Sequence, residues 1–152
     1  MLSKTHLLVG LVVGLFALDY VNVHPVLFLA IFGFATLLPD IDSPHSNIGK
    51  KALPFSMFLG LIFGHRGFMH SIWIPFGILG ISIYFGYPTI GYIMMGGYIL
   101  HLLVDAMTLG GVRFFGPFGQ KTKGFFHTGG ITEAFIFVLF IVILAWKLST
   151  YL

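Results

Sequence analysis

The residues of this chain that could do chemistry are histidines and aspartates set next to apolar segments. His101 and Asp105 are four positions apart in the stretch 101–105 (HLLVD), so on a helix they lie on one face about one turn apart. An imidazole and a carboxylate in this arrangement can share a metal ion; alternatively, the carboxylate orients the imidazole through a hydrogen bond. Because ionisable groups are costly beside apolar segments, we predict that both residues are metal ligands.

Asp40 and Asp42 follow another apolar stretch, in the segment 38–44 (LPDIDSP). Alternate residues of an extended segment point the same way, so the two carboxylates can address one site. The structural alternative is a cap, since an aspartate before Ser-Pro often accepts hydrogen bonds from the backbone N–H groups of a turn. We predict that one aspartate, preferably Asp40, is a metal ligand and that Asp42 supports catalysis beside the metal or caps the turn.

Three more polar residues lie in the loop 64–71 (GHRGFMHS). His65 and His70 add two imidazoles, and Arg66 offers a planar guanidinium that suits phosphate or carboxylate. A merely solvated loop is the alternative explanation. We predict His65 and His70 as metal ligands and Arg66 as the group that stabilises charge on a phosphoryl oxygen.

His6 and Glu133 lie at the starts of the first and last apolar stretches. A lone histidine there is more often a core or snorkelling residue. The membrane topology favoured by the lysine and arginine count, given below, places His6 on the same face as the other candidates. We therefore predict His6 as a ligand. Glu133 is the only glutamate. The helix dipole alone favours an acid in a first turn, yet Glu133 enters at membrane depth, and we predict a catalytic role for it.

The predicted ligands are nitrogen and oxygen donors, and the chain has no cysteine to supply thiolates. This set suits zinc and tolerates manganese or iron. We expect two or three such divalent ions, which would activate water for hydrolysis by lowering its pKa towards neutrality.

The elements that must position these residues are membrane helices. Of the 152 residues, 57% are hydrophobic and 9% charged, with a mean hydropathy of +0.98, whereas a soluble domain carries about 25% charged residues. This composition disfavours a soluble enzyme or a disordered chain, because so few charges cannot cover a water-exposed surface. The net charge of +3 is too small to indicate binding to nucleic acid.

Six apolar stretches follow one another along the chain, at 6–21, 25–38, 52–63, 69–86, 88–107 and 131–146. The third has 12 residues, and a membrane span needs about 20. If all six crossed the membrane, the lysines and arginines would divide four against four between the two faces. If the third dips in and returns, they divide seven against one, as the positive-inside rule requires.

We therefore predict an all-α integral membrane protein, a helical bundle of about five transmembrane helices plus one short re-entrant or interfacial helix. Residues 1–152 are expected to form a single domain in the inner membrane. The basic face carries the candidate ligands and is expected to face the cytoplasm. The lipid bilayer is then the first partner, while the sequence does not indicate an oligomeric state.

The motifs at these residues resemble those of the YdjM-like family of membrane-bound metal-dependent hydrolases. They occur in the family's order: Thr5-His6, then 37–44 (LLPDIDSP), 65–71 (HRGFMHS) and 101–112 (HLLVDAMTLGGV), followed by Gly116-Pro117. One residue departs from the pattern, because Met69 stands where the family usually has threonine. A hydroxyl contact is therefore not expected at that position.

That family is distantly similar to zinc-dependent phospholipase C and to the fungal single-strand nucleases, which are helical enzymes with three zinc ions. The resemblance implies metal ligation by His6, Asp40, His65 or His70, His101 and Asp105, with Glu133 as a further ligand. It implies hydrolysis of a phosphoester, and we expect a lipid or amphiphilic substrate.

The alternative function is a metal transporter or another membrane metal-binding protein that performs no hydrolysis. Transport would need polar groups through the membrane and on the far face, and only Asp19 and His24 lie opposite the basic face in the predicted topology. This asymmetry favours an enzyme.

Overall fold

The computed structural model describes residues 2–44, 46–63, 67–116 and 119–151, and helices make up most of these ranges. Short 3-10 turns lie at Leu18–Tyr20, Leu38–Asp42 and Phe68–His70. The α-helices of the described ranges are α1 (Ser3–Ala17), α2 (Pro25–Leu37), α3 (Asn47–Lys51), α4 (Leu53–Phe63), α5 (Trp73–Tyr84), α6 (Pro88–Ala106) and α7 (Ile131–Ser149). The predicted class, an all-α membrane protein, is confirmed.

Four helical segments of the described chain are long and apolar enough to cross a bilayer: α1 and α2 with the 3-10 turns that follow them, α6, and α7. The predicted fourth stretch, 69–86, forms a shorter helix than expected. Its helix α5 has 12 residues, whereas a membrane span needs about 20. The beginning of that stretch belongs instead to the 3-10 turn Phe68–His70, which buries His70.

The candidate ligands gather at one end of the bundle, which we call the polar end. α1 begins there and α2 ends there, since His6 and the turn after α2 both lie close to the end of α6. His70, which follows α4, meets Asp42, which precedes it, at 3.4 Å. The chain thus returns to the same end after α4, and the arrangement in which all six stretches cross the membrane is excluded.

Glycines let the helices that carry the candidate ligands pack closely, as small residues do in membrane bundles. A Cβ atom at Gly97 of α6 would lie 2.5 Å from the Phe32 carbonyl oxygen of α2. A Cβ atom at Gly10 of α1 would lie 2.7 Å from the Thr36 hydroxyl oxygen on α2. Both α1 and α6 therefore approach α2 more closely than side chains larger than hydrogen would allow.

At the opposite end of the bundle, an ion pair joins α7 to the turn after α1. Lys147 Nζ lies 2.7 Å from Asp19 Oδ2, and the Tyr151 hydroxyl donates to Asp19 Oδ1 at 3.2 Å. The ammonium group also lies over the Phe16 ring. Asp19 therefore lies away from the candidate ligands, in agreement with the predicted topology.

The close α2–α6 contact predicts that Gly97→Ala destabilises the protein, by about 1–3 kcal/mol as for other overpacked cores. Gly77 on α5 is the matched control, because an added Cβ would meet nothing within 4 Å there and alanine favours a helix over glycine by about 1 kcal/mol. Thermal unfolding in detergent should show a lower Tm for Gly97→Ala and an equal or higher Tm for Gly77→Ala. Equal losses in both variants would contradict the packing argument.

The return of the chain after α4 predicts which positions share a membrane face. Because the protein has no cysteine, single Lys50→Cys, Lys121→Cys and Tyr20→Cys variants can be labelled cleanly with a membrane-impermeant maleimide. We expect Lys50→Cys and Lys121→Cys to react from the same side of the membrane and Tyr20→Cys from the other. Opposite labelling of positions 50 and 121 would mean that α4 crosses the bilayer.

Candidate metal centre

Five of the predicted ligands meet in a buried cluster at the polar end. His6 comes from α1, Asp40 from the turn after α2, His70 from the turn before α5, and His101 and Asp105 from α6. The three histidines are 0% exposed and Asp105 is 1% exposed, while Asp40 retains 8% exposure. The bundle thus brings together residues that are up to 99 positions apart in the chain.

The ligand atoms of this cluster lie close enough to share an ion, and we call the space between the atoms of His70, His101 and Asp105 the common centre. His70 Nε2 and His101 Nε2 lie 3.4 Å apart, and Asp105 Oδ2 is 3.9 Å from each of these nitrogens. Asp40 Oδ1 is also 3.9 Å from each nitrogen. Ligand atoms about 2.0–2.2 Å from a tetrahedral ion lie roughly 3.3–3.6 Å from one another. The atoms of His70, His101 and Asp105 therefore fit one metal ion after inward shifts of a few tenths of an ångström.

His6 extends the cluster on the far side of Asp105. Its Nδ1 lies 3.3 Å from the Leu2 carbonyl oxygen, which can only accept a proton, so in the neutral ring Nε2 carries the lone pair. Nε2 faces Asp105 Oδ1 at 3.4 Å. An imidazole nitrogen and a carboxylate oxygen at this distance can hold either a proton or a metal ion between them.

Two overlapping groups of ligand atoms can hold an ion, each with its atoms within 4.8 Å of one another. One consists of His6, Asp40 and His101, and the other of His70, His101 and Asp105. The His6 ring also stacks on the His101 ring, with centroids 4.1 Å apart. Because the groups share His101, whose Nε2 can bind one ion at a time, they form one compact centre.

A backbone contact fixes the orientation of His101. Its Nδ1 donates to the Thr36 carbonyl oxygen at 2.8 Å, which leaves Nε2 as the acceptor nitrogen that points into the cluster. Thr36 lies in the last turn of α2, where backbone carbonyls lack intrahelical partners. Pro39, three residues later, has no N–H to donate to it. The Thr36 carbonyl oxygen can therefore accept from His101. Thr36 is not among the predicted site residues, although a threonine before Leu-Leu-Pro at the end of an apolar stretch is a usable signal.

Tyr98 is a second supporting residue that the sequence analysis missed. It is fully buried, and its hydroxyl donates to the carbonyl oxygen of Met69. Met69 directly precedes His70, and Tyr98 lies one turn before His101 on α6. This bond therefore holds the turn that carries one histidine against the helix that carries the other. A tyrosine within the apolar stretch was the available signal.

Asp42 lies behind His70, away from the common centre. Its Oδ2 is 3.4 Å from His70 Nδ1, and the residue is fully buried. A carboxylate behind an imidazole fixes the ring orientation and raises its basicity as a ligand. The structure thus separates the two neighbouring aspartates, with Asp40 turned to the centre and Asp42 to the outer nitrogen of His70.

Glu133 lies outside both ligand groups. Its Oε1 accepts from the Leu2 N–H at 2.7 Å and its Oε2 from the Gly129 N–H at 2.6 Å. As the third residue of α7, it reaches back to the backbone before the helix, as acids in a first turn do. Glu133 thus ties α7 to the start of α1 and is in neither ligand group, while its predicted catalytic role stays a prediction.

His65 and Arg66 lie outside the described residues. Their predicted roles, metal ligation by His65 and charge stabilisation by Arg66, thus stay predictions. The structure describes His70 of that loop and places it in the cluster.

Comparisons with known proteins identify relatives of this chain. Over 139 residues the chain is 31% identical to the uncharacterized protein YvsG of Bacillus subtilis (strain 168). This match covers 90% of this chain and 87% of YvsG. Over 88 residues it is 38% identical to the inner membrane protein YdjM of Escherichia coli (strain K12) and equally to that of Shigella flexneri. These matches cover 53% of this chain and 44% of each YdjM protein. No solved structure matches.

The match to the family as a whole is more extensive than the match to either YdjM protein. The family model of the YdjM inner membrane protein covers residues 1–151, and this range includes the complete ligand cluster. The chain belongs to the YdjM inner membrane protein family.

Proposed function

We propose that this protein is a membrane-bound metal-dependent hydrolase that cleaves a phosphoester, with residues 1–152 acting as one domain. The observation that carries the proposal is a buried set of ligand atoms: His70 Nε2 and His101 Nε2 lie 3.4 Å apart, and each is 3.9 Å from an oxygen of Asp40 and from an oxygen of Asp105. Nitrogen and oxygen donors of this kind suit zinc, with manganese or iron as alternatives. The His6–Asp105 pair offers a position for a further ion.

The chain's own residues orient the ligands, and the Asp40 ligand stays partly accessible to water. Thr36 holds the His101 ring and Asp42 lies behind the His70 ring. The Asp40 side chain is 12% exposed, so water reaches the cluster on its side. A divalent ion held here supplies a Lewis acid and lowers the pKa of water towards neutrality. Arg66 is the proposed partner for the charge on the phosphoryl oxygens.

The substrate that fits this position is a lipid or another amphiphile at the membrane surface. Among the described side chains of α4, large apolar ones are exposed close to the polar end, which suits an interfacial or re-entrant helix (Leu53, Phe55, Met57, Phe58 and Leu61). Basic side chains surround the same end, whereas Lys147 lies at the other (Lys4, Lys50, Lys51, Arg113, Lys121 and Lys123). By the positive-inside rule the site faces the cytoplasm, and the relatives named inner membrane proteins support this membrane.

A second candidate is a metal-binding or metal-transporting membrane protein that performs no hydrolysis. The observation in its favour is burial, because closed sites with four protein ligands are typical of structural metals. Transport, however, needs polar groups that continue to the other face, and Asp19 at that face is already paired with Lys147. We therefore place hydrolysis first.

The metal ligands predict the metal content of the purified protein. Elemental analysis should find zinc or another transition metal in wild-type protein and little in His101→Ala or Asp105→Ala, because each removes an atom of the common centre. His24→Ala is the matched control, since His24 precedes α2 at the opposite end, and its metal content should equal the wild type. Wild-type protein without transition metal, purified without chelator, would refute both candidate functions.

Hydrolysis separates the two candidates. A panel of phosphodiesters and phospholipids should be cleaved by wild-type protein, and cleavage should fall to background in His101→Ala. Asp42→Asn should lower activity or metal affinity by about 10–100-fold, the usual effect of losing a carboxylate behind a ligating histidine. A protein that binds metal fully but cleaves no member of the panel would favour the non-hydrolytic function.

A further inference from the structure

A cavity of about 190 Å³ opens between α1, α6 and α7 next to the ligand cluster. Only apolar side chains line it: Val9, Val104, Met107, Phe126, Ile136 and Phe140. We call this cavity the apolar crevice. It lies between α7 and α6, because α7 packs mainly against α1.

The apolar crevice adjoins the cluster along two helices. Val104 directly precedes Asp105 on α6, and Val9 lies three residues after His6 on α1. Because three residues are about one helical turn, the His6–Asp105 pair lies close to the crevice wall on both sides. A molecule seated in the crevice would therefore end near the candidate metal centre.

The depth of the crevice determines what can fill it. Its walls come largely from segments long and apolar enough to span the bilayer, so the surrounding medium is hydrocarbon. A buried water needs two to four polar partners, and none of the six lining side chains offers one. An apolar chain is thus the occupant that these walls favour.

We propose that the apolar crevice seats an acyl chain of an anionic membrane lipid, whose head group then lies at the polar end. The charge at that end is complementary, since Lys4, Arg113, Lys121 and Lys123 belong to it. The inference deepens the proposed function, because it rests on the lipid being the substrate presented to the cluster. The crevice positions the lipid, while the ligands act on its head group.

Photo-crosslinking tests the seat without any need for hydrolysis. The probe is phosphatidylglycerol with a diazirine in the half of one acyl chain nearer the glycerol, added to phosphatidylcholine vesicles that contain the full protein. Mass spectrometry should find crosslinks concentrated at Met107, Ile136 and Phe140 and scarce at Phe135 and Val142, which α7 exposes to the bilayer. If the crevice residues and the bilayer-exposed residues of the wild-type protein were labelled equally, the proposal would be overturned. This test does not depend on any variant.

Matched substitutions on α7 give the second measurement. Ile136→Trp fills the apolar crevice and should lower crosslinking several-fold, whereas Val142→Trp adds the same side chain on the exposed face and should leave it unchanged. Unchanged metal content in both variants shows that the bundle is intact. Undiminished crosslinking in an intact Ile136→Trp would also overturn the proposal.

Lipid charge is tested with the same photo-reactive chain on phosphatidylcholine. We expect weaker labelling of the crevice than with phosphatidylglycerol, and equal labelling would refute the anionic preference. A protein that crosslinks as expected but hydrolyses no phosphoester would retain the lipid seat and lose the proposed activity, so the two failures are distinguishable.

Discussion

The hydrogen bond from His101 Nδ1 to the Thr36 carbonyl oxygen is the contact on which the polar end depends. It joins α6 to the last turn of α2 and chooses the ring nitrogen that faces the cluster. The bond requires the close approach at Gly97, where the α6 backbone meets the Phe32 carbonyl of α2. A carbonyl in the middle of a helix would already be bonded, so only the end of α2 could provide it. Helix packing and ligand orientation are consequently parts of one arrangement.

The topology and most of the cluster could be predicted from the sequence because both follow from strong local signals. Charges near membrane segments follow one orientation rule, so the count of lysines and arginines favours an α4 that does not cross the bilayer. The spacing of His101 and Asp105 places both on one helix face, and apolar surroundings make such residues conspicuous. Asp40 and His70 follow once the topology brings their loops to the same end.

The remaining features could not be predicted because they depend on three-dimensional neighbours. Thr36 and Tyr98 act through backbone carbonyls, and a carbonyl leaves no mark in a sequence. Glu133 is of a residue type common in active sites. Its carboxylate, however, accepts hydrogen bonds from two backbone N–H groups that only the fold brings near. α5 begins only at Trp73 because the preceding turn, Phe68–His70, buries His70. The apolar residues from 69 onwards suggest an earlier start.

The ion pair between Lys147 and Asp19 has a consequence for the protein's orientation in an energised membrane. An unpaired charge costs or gains about 2.3 kcal/mol for each 100 mV of potential that it crosses. A lone lysine at this end of the bundle would be subject to that force. Joined to a carboxylate at 2.7 Å, it forms a neutral pair on which the potential exerts no net force. This end of the bundle therefore adds no net charge to the work of placing α7 across an energised membrane.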